Sequence, residues 1–243
     1  MPSFARFACC AVLAVSASAQ AGYSRFGWLN DTDTLPERSV ELITWLWEEN
    51  GSPGSPEQTN LMWAPAVGVT DRLELLIPVQ LEFDQLDSGL ATTFDHFSLE
   101  ARYQLTNPDR VERGPFGAQV RAAVGRLVNA RSLVQLEAGA VFSLELERVR
   151  TVVDLQTRFK VGGAPWTVDL LPGAGVSVRI LGDLRLGAEV TSQLDFTPGH
   201  FSPWVAVGPD VSWQYGRFWV SGGFLFGVIG IRNAPRVNFG VTF

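Results

Sequence analysis

Several things are scarce in this chain of 243 residues. Cysteine occurs twice, at Cys9 and Cys10, histidine twice, at His96 and His200, and lysine once, at Lys160. Beyond residue 10 there is therefore no thiol for a disulfide, a thiolate–metal site or a cysteine nucleophile. Two histidines alone make no metal-ligand spacing, so neither metal nor cofactor is expected. Positive charge is also short. The 19 Lys+Arg stand against 25 Asp+Glu, a net charge of -6, and no basic stripe offsets phosphate repulsion, which argues against nucleic acid as a partner. Long apolar runs are missing as well. Although 46 % of the residues are hydrophobic, no run after residue 20 reaches the ~20 residues a helix needs to span a bilayer.

What is present instead is alternation. Leu73, Leu75, Ile77, Val79, Leu81 and Phe83 alternate with Arg72, Glu74, Leu76, Pro78, Gln80 and Glu82. Phe97, Leu99, Ala101, Tyr103 and Leu105 alternate with His96, Ser98, Glu100, Arg102 and Gln104. A period of two puts successive side chains on opposite faces of a strand, so each run predicts a strand with one apolar and one polar face. The same grammar recurs over 116–125, 133–146, 152–161, 167–180, 184–195 and 205–215, and more weakly over 218–228. With 60–69, a first strand at 40–47 for which a short amphipathic helix is the alternative, and the closing run PRVNFGVTF at 235–243, it predicts twelve strands.

The N-terminus reads as a targeting segment. Arg6 supplies a basic start, Phe7 to Val15 an apolar stretch, and Ala17-Ser18-Ala19 a small-residue cleavage site, so residues 1–19 are expected to be a signal peptide. Residues 20–38 are polar and aperiodic. They are expected to form a periplasmic lead-in, with folding into the mouth of the following domain as the alternative, and residues 39–243 that domain.

One apolar face per strand fits a sandwich that packs it inward or a barrel that shows it to lipid. Strand lengths of about ten residues match a tilted membrane crossing, and the opposite face carries charge on nearly every strand, as a lumen does. Alternating strand directions would place Trp45, Trp47, Trp63, Trp166 and Trp204 near one rim and Trp213, Tyr215, Trp219 and Phe243 near the other, giving two aromatic girdles. The expected fold is therefore all-β, a single antiparallel transmembrane β-barrel, with surrounding lipid as a partner. Pro78, Pro172 and Pro209 fall inside strands and predict bulges or ladder breaks, which in a barrel wall could serve as lateral openings.

Two resemblances follow from these residues. The closing run, with its terminal Phe243, resembles the C-terminal signal of Gram-negative outer-membrane barrels, which implies an outer-membrane location and recognition of the last strand by the barrel-assembly machinery. DTDTLPERSVEL at 31–42, WAPAVGVTDRLELLIPVQ at 63–80 and FDHFSLEARYQL at 94–105 resemble the family of outer-membrane barrels of the phenol meta-degradation pathway. That resemblance covers about the first third of the chain after the signal peptide and implies transport of small molecules, hydrophobic ones among them. One departure is Glu37-Arg38, where a glycine is expected.

The candidate pore-lining residues are the charged and polar positions opposite the apolar faces: Arg72, Glu74, Glu82, His96, Glu100, Arg102, Arg121, Glu137, Arg158, Arg179, Arg185, Glu189 and Arg236. Both signs are mixed, so either they pair into a network that fills the lumen or they form charge rings that select solutes. His96 and Ser98 share a face and resemble the His-x-Ser pair of outer-membrane acyl hydrolases. With no evident orienting acid or amide, and with Phe97 and Leu99 setting the lipid side, they are expected to point into the lumen without catalytic work.

Overall fold

A computed structural model describes residues 24–51, 57–86, 89–109, 114–128, 130, 132–162 and 166–243; the expected signal peptide lies outside them. The strands are β1 (Val40–Gly51), β2 (Glu57–Thr70), β3 (Leu73–Leu76), β4 (Val79–Leu86), β5 (Gly89–Gln104), β6 (Phe116–Leu127), β7 (Val134–Leu146), β8 (Val149–Val161), β9 (Thr167–Leu181), β10 (Leu184–Thr197), β11 (His200–Tyr215), β12 (Phe218–Ile229) and β13 (Ile231–Thr242). From β5 onward each strand pairs antiparallel with the next in sequence. β1 pairs with both β2 and β13, which closes the sheet on itself and leaves no free edge.

β3 and β4 together occupy one position between β2 and β5, so the wall has the twelve positions that the alternation predicts. The run expected as one strand over 72–83 is interrupted at Ile77-Pro78, because proline has no N–H for the ladder. Ile77 N still donates to Pro65 O at 3.0 Å and Ser98 N to Pro78 O at 3.0 Å, so the break is laced to both neighbours and is not a lateral opening. Pro172 pairs with Leu155 of β8, but the ladder to β10 skips from Gly173 to Leu170. Pro209 pairs with Ala188 of β10, and the ladder to β12 skips from Val207 to Asp210. Each of the two proline breaks is confined to one side of its strand.

The apolar faces point outward. Leu42, Leu99, Val124, Leu136, Leu155, Val176, Leu186, Val211 and Val237 are all exposed, while Glu74, Glu100, Asp154, Ser177, Glu189 and Asn238 on the alternate face are buried. A continuous apolar exterior over a charged interior is the arrangement lipid selects. The aromatic girdles need correction. Trp213, Tyr215 and Phe218 do cluster on the outside near one rim, with centroids of Trp213 5.9 Å from Tyr215 and 6.4 Å from Phe218. Trp45, Trp47 and Trp219, however, turn into the lumen at 8 %, 9 % and 1 % exposure, and Trp204 lines the lumen too. Ile43, Trp45 and Trp47 alternate with Leu42 and Leu46, so both faces of β1 are apolar and periodicity alone could not choose between them.

The lead-in runs inside the barrel. Eight strands enclose a space that side chains alone fill, and twelve leave room for more; residues 24–36 take it. They travel around the inner wall strand by strand. Asn238 of β13 donates to Gly27 O at 2.7 Å, and Ser221 of β12 to Phe26 O at 3.0 Å. Asn30 N donates to Asp154 of β8 at 2.9 Å, and Thr32 meets Ser143 of β7 at 2.7 Å. Thr34 then reaches Gln104 of β5 at 3.2 Å, and Leu35 N reaches Glu74 of β3 at 2.8 Å. Phe26 and Leu29 pack on Val141 and Val152, and Leu35 joins Ala66, Leu76 and Trp219 in an apolar cluster. Gly175 makes the close approach possible: a Cβ there would sit 2.8 Å from the Phe26 ring and 2.9 Å from Leu29. Arg38, where a glycine was expected, adopts φ 65°, the left-handed region, as the chain turns up into β1.

Candidate functional site

The lumenal charges are ordered along the wall. Arg102 lies 3.5 Å from Glu74 and 2.6 Å from Glu100; Arg121 lies 3.1 Å from both Glu100 and Glu137; Arg158 lies 3.4 Å from Glu137 and 3.7 Å from Asp169. Signs alternate around β3, β5, β6, β7, β8 and β9, so Arg102, Arg121 and Arg158 each sit between two carboxylates. Such pairing is what keeps buried charges tolerable, because an unpaired one costs several kcal/mol by order of magnitude.

A second cluster lies toward the end of the barrel where β1 begins and β13 ends, and joins the lead-in to the wall. Arg25 contacts Asp31 at 2.6 Å and Asp33 at 2.8 Å. Arg150 bonds Asp31 and also contacts Glu145 at 2.7 Å, while Arg179 and Arg185 lie 3.5 and 3.6 Å from the other Glu145 oxygen. Burial pushes the Asp31 carboxyl up, but Arg150 and Arg25 outweigh it and hold it below its ordinary range. Glu189 acts differently: its two oxygens accept the backbone N–H groups of Gly27, Trp28 and Leu29 at 2.9 to 3.2 Å.

Above and beside the lead-in is a cavity of about 390 Å³. Its lining runs from Glu49, Gln58 and Lys160 at one end of the barrel to Glu41 and Trp219 at the end where β1 begins. One side, from β3 to β8, is the charged ladder. The other is aromatic, with Trp45 and Trp47 of β1, Trp204 of β11 and Trp28 of the lead-in. The Trp28 and Trp204 rings meet edge to face at 6.0 Å. Arg236 of β13 places its guanidinium carbon 5.0 Å from the Trp28 ring centroid and 5.3 Å from that of Trp47.

Of the positions singled out in the sequence, Glu74, Glu82, His96, Glu100, Arg102, Arg121, Glu137, Arg158 and Arg236 line this cavity. Arg179, Arg185 and Glu189 are engaged in the second cluster and the lead-in, and Arg72 lies in the turn between β2 and β3, where its N–H donates to Thr70 Oγ1. His96 and Ser98 do face inward, both buried. Contrary to expectation an acid does orient the histidine: Asp95 lies 2.8 Å from His96 Nδ1. Ser98 makes no hydrogen bond to His96 among the described residues, so a base-activated hydroxyl is not assembled. Arg150 and Asp154 sit on the polar alternation of 152–161 and its flank and were within reach of pattern reading; Arg25, Trp28 and Asp31 lie in an aperiodic segment that offers no signal.

An apolar exterior, a closed sheet of twelve positions and a charged lumen define an outer-membrane β-barrel. Known structures agree. The fold matches an outer-membrane channel of Pseudomonas putida F1 (TM-score 0.61, 12 % identity, covering 88 % of this chain and 98 % of that one). It also matches the translocator domain of the autotransporter NalP of Neisseria meningitidis (0.56, 15 %, 98 % and 96 %) and the KdgM porin (0.54, 11 %, 84 % and 99 %). At these identities the likeness is one of fold. No family model matches the sequence, and no curated protein does, so the narrower resemblance to the phenol meta-pathway barrels has no support from either.

Proposed function

We propose that this barrel passes small molecules across the outer membrane, with the lead-in as the gate at its periplasmic end. The observation that carries the reading is the lumenal cavity, whose lining extends from Glu49 near the outer end of β1 to Glu41 near its start, beside rather than beneath the lead-in. Its size falls in the range of small-molecule sites, roughly 300–1,000 Å³. Its two-sided wall suits solutes that combine an apolar body with a polar group, including the hydrophobic compounds that the sequence resemblance implies. The near balance of signs along the ladder disfavours a strongly ion-selective pore. The exposed terminal Phe243, whose N–H donates to Val40 O at 2.8 Å at the closing seam, supports the further reading that the assembly machinery engages this strand.

One observation favours a second reading, a non-conducting structural barrel: Phe26 and Leu35 of the lead-in are fully buried in the lumen and Leu29 is nearly so. Single-channel recording of the refolded protein in a planar bilayer separates the two. A gated passage gives brief or small steps in the full chain and steady, larger steps when residues 24–36 are deleted. Silence of both proteins, each shown folded by heat-modifiable gel mobility, overturns passage and leaves the structural barrel.

A further inference from the structure

Arg236 differs from the other arginines of the lumen. Arg102, Arg121 and Arg158 each lie between two carboxylates. Arg236 has no carboxylate within ion-pairing distance among the described residues, and its single hydrogen bond runs from Nε to Asn238 Oδ1 at 2.9 Å. The carboxylates whose fields reach it are Glu189, Glu49 and Asp154, the last of which accepts the Asn30 N–H at 2.9 Å. Glu189 is occupied by the backbone of residues 27–29, and Glu49 accepts the Trp47 indole N–H at 3.1 Å. The terminal N–H groups of Arg236 are left with no acceptor, on a side chain that lines the cavity.

This guanidinium is also held rigidly. Asn238, which receives its Nε–H, is fixed through its own amide nitrogen to Gly27 O at 2.7 Å and Ser221 Oγ at 3.2 Å. The flanking rings are pinned in turn, Trp47 at Glu49 and Trp28 at Ala234 O at 3.1 Å. A fixed, planar, unpaired fork is the group that recognises a carboxylate through two parallel hydrogen bonds. The adjoining Trp45 and Trp204 supply apolar surface for whatever carries that carboxylate.

We infer that Arg236, clamped between Trp28 and Trp47, is a binding site in the lumen for the carboxylate of small organic acids with a flat apolar body. The site names the solute class of the passage proposed above and rests on that reading for its physiological use. A bound carboxylate neutralises an arginine that lacks a counter-charge among the described residues, whereas a cationic solute would have to approach that same arginine unscreened.

Benzoate is the probe. Titrated into refolded protein in detergent and followed by tryptophan fluorescence and calorimetry, it should bind saturably, at least tenfold more tightly than benzyl alcohol, which lacks the charge, and acetate, which lacks the ring. Arg236→Gln should weaken benzoate at least tenfold and leave benzyl alcohol unchanged. Arg236→Lys, which keeps charge but loses the fork, should fall between. Trp47→Leu should weaken benzoate more than acetate. Each variant is checked for heat-modifiable mobility, and Arg236→Lys keeps the test open if Arg236→Gln fails to fold. Benzoate binding no tighter than benzyl alcohol, or indifferent to Arg236→Gln and Arg236→Lys, overturns the site. Tighter binding of benzylamine overturns it too, by showing that the acidic lumen governs. Uptake of benzoate into proteoliposomes separates the two proposals. Binding without uptake leaves the site and removes passage, and uptake without Arg236-dependent binding leaves passage and removes the site.

Discussion

Glu189→Gln weakens the lead-in at one point without changing volume. In the native barrel Oε1 accepts from Gly27 N at 2.9 Å and Trp28 N at 3.0 Å, and Oε2 from Trp28 N at 3.0 Å and Leu29 N at 3.2 Å. The amide keeps one acceptor and turns the other into a donor that faces an N–H. A hydrogen bond to a charged group contributes about 1.5–3 kcal/mol and a neutral one about 0.5–1.5, so the change costs about 1 kcal/mol for each of the donors it serves. Lumenal water offsets part of that, which leaves a net loss of about 2 kcal/mol. At 1.4 kcal/mol per factor of ten, the open state of the lead-in should become about 30-fold more populated. The assay is thiol labelling of Thr32→Cys, a fully buried position, in a chain whose Cys9 and Cys10 are replaced by serine. Maleimide should react about 30-fold faster in the Glu189→Gln background than in its parent. A rate within about threefold of the parent would refute the reasoning, because the lead-in would then be held by its apolar anchors alone.

Gly175→Leu should displace the lead-in from another direction, since the new side chain needs the space of Phe26 and Leu29, each of which contributes about 1.5–3 kcal/mol by burial; single-channel conductance should rise while heat-modifiable mobility stays that of a folded barrel. Arg121→Ala leaves Glu100 and Glu137 short of a partner and should lower the urea unfolding free energy by about 3 kcal/mol, with Glu100→Gln in the same chain recovering part of it. Asp31 has a folded pKa below its unfolded value, so its contribution is complete above the ordinary carboxyl range and disappears as pH falls through the lower folded value. The lead-in should therefore stay docked at pH 5, and channel conductance should rise only in strongly acid buffer; an increase already at pH 5 would show that another group controls release.

How much of this was legible in the sequence depended on periodicity. Strands such as β7, where Val134, Leu136, Phe142 and Leu144 are exposed and Gln135, Val141 and Ser143 buried, state both element and orientation in their alternation. β1 does not, because Ile43, Trp45 and Trp47 make its inner face as apolar as its outer one, so its alternation does not tell which face meets the lumen. Pro78 marked a real interruption, but the carbonyl and N–H groups around it find partners across the wall, which sequence cannot reveal. The mixed signs of the lumen allow either a paired network or charge rings that select solutes, and along the ladder from Glu74 to Asp169 neighbouring charges lie within ion-pairing distance. Its course follows from register: Arg102 stands opposite Glu74 and Arg121, and Glu137 opposite Arg158, so neighbours on adjacent strands come within reach. The lead-in has no period, and nothing in its composition shows which wall residues it meets.

The lead-in also explains why several lumenal acids lie outside that ladder. An irregular segment inside a barrel brings backbone N–H groups that no sheet satisfies, and each must find an acceptor. Asp154 serves Asn30, and Glu189 serves Gly27, Trp28 and Leu29, while Glu74, the first member of the ladder, gives its other oxygen to Leu35. Carboxylates placed in this way are an interior wall prepared for a backbone rather than for a counter-ion. The same bonds can be exchanged for water, since both the lumen and the periplasm hydrate a released segment, whereas the apolar anchors Phe26 and Leu35 lose burial outright. Docking through many water-exchangeable bonds and a few apolar anchors makes release costly but free of a covalent or topological barrier. A permanently filled barrel would need no such carboxylates, because apolar wall residues against an apolar segment would hold it more simply. The polar docking therefore favours a lead-in that leaves and returns over one that only fills space.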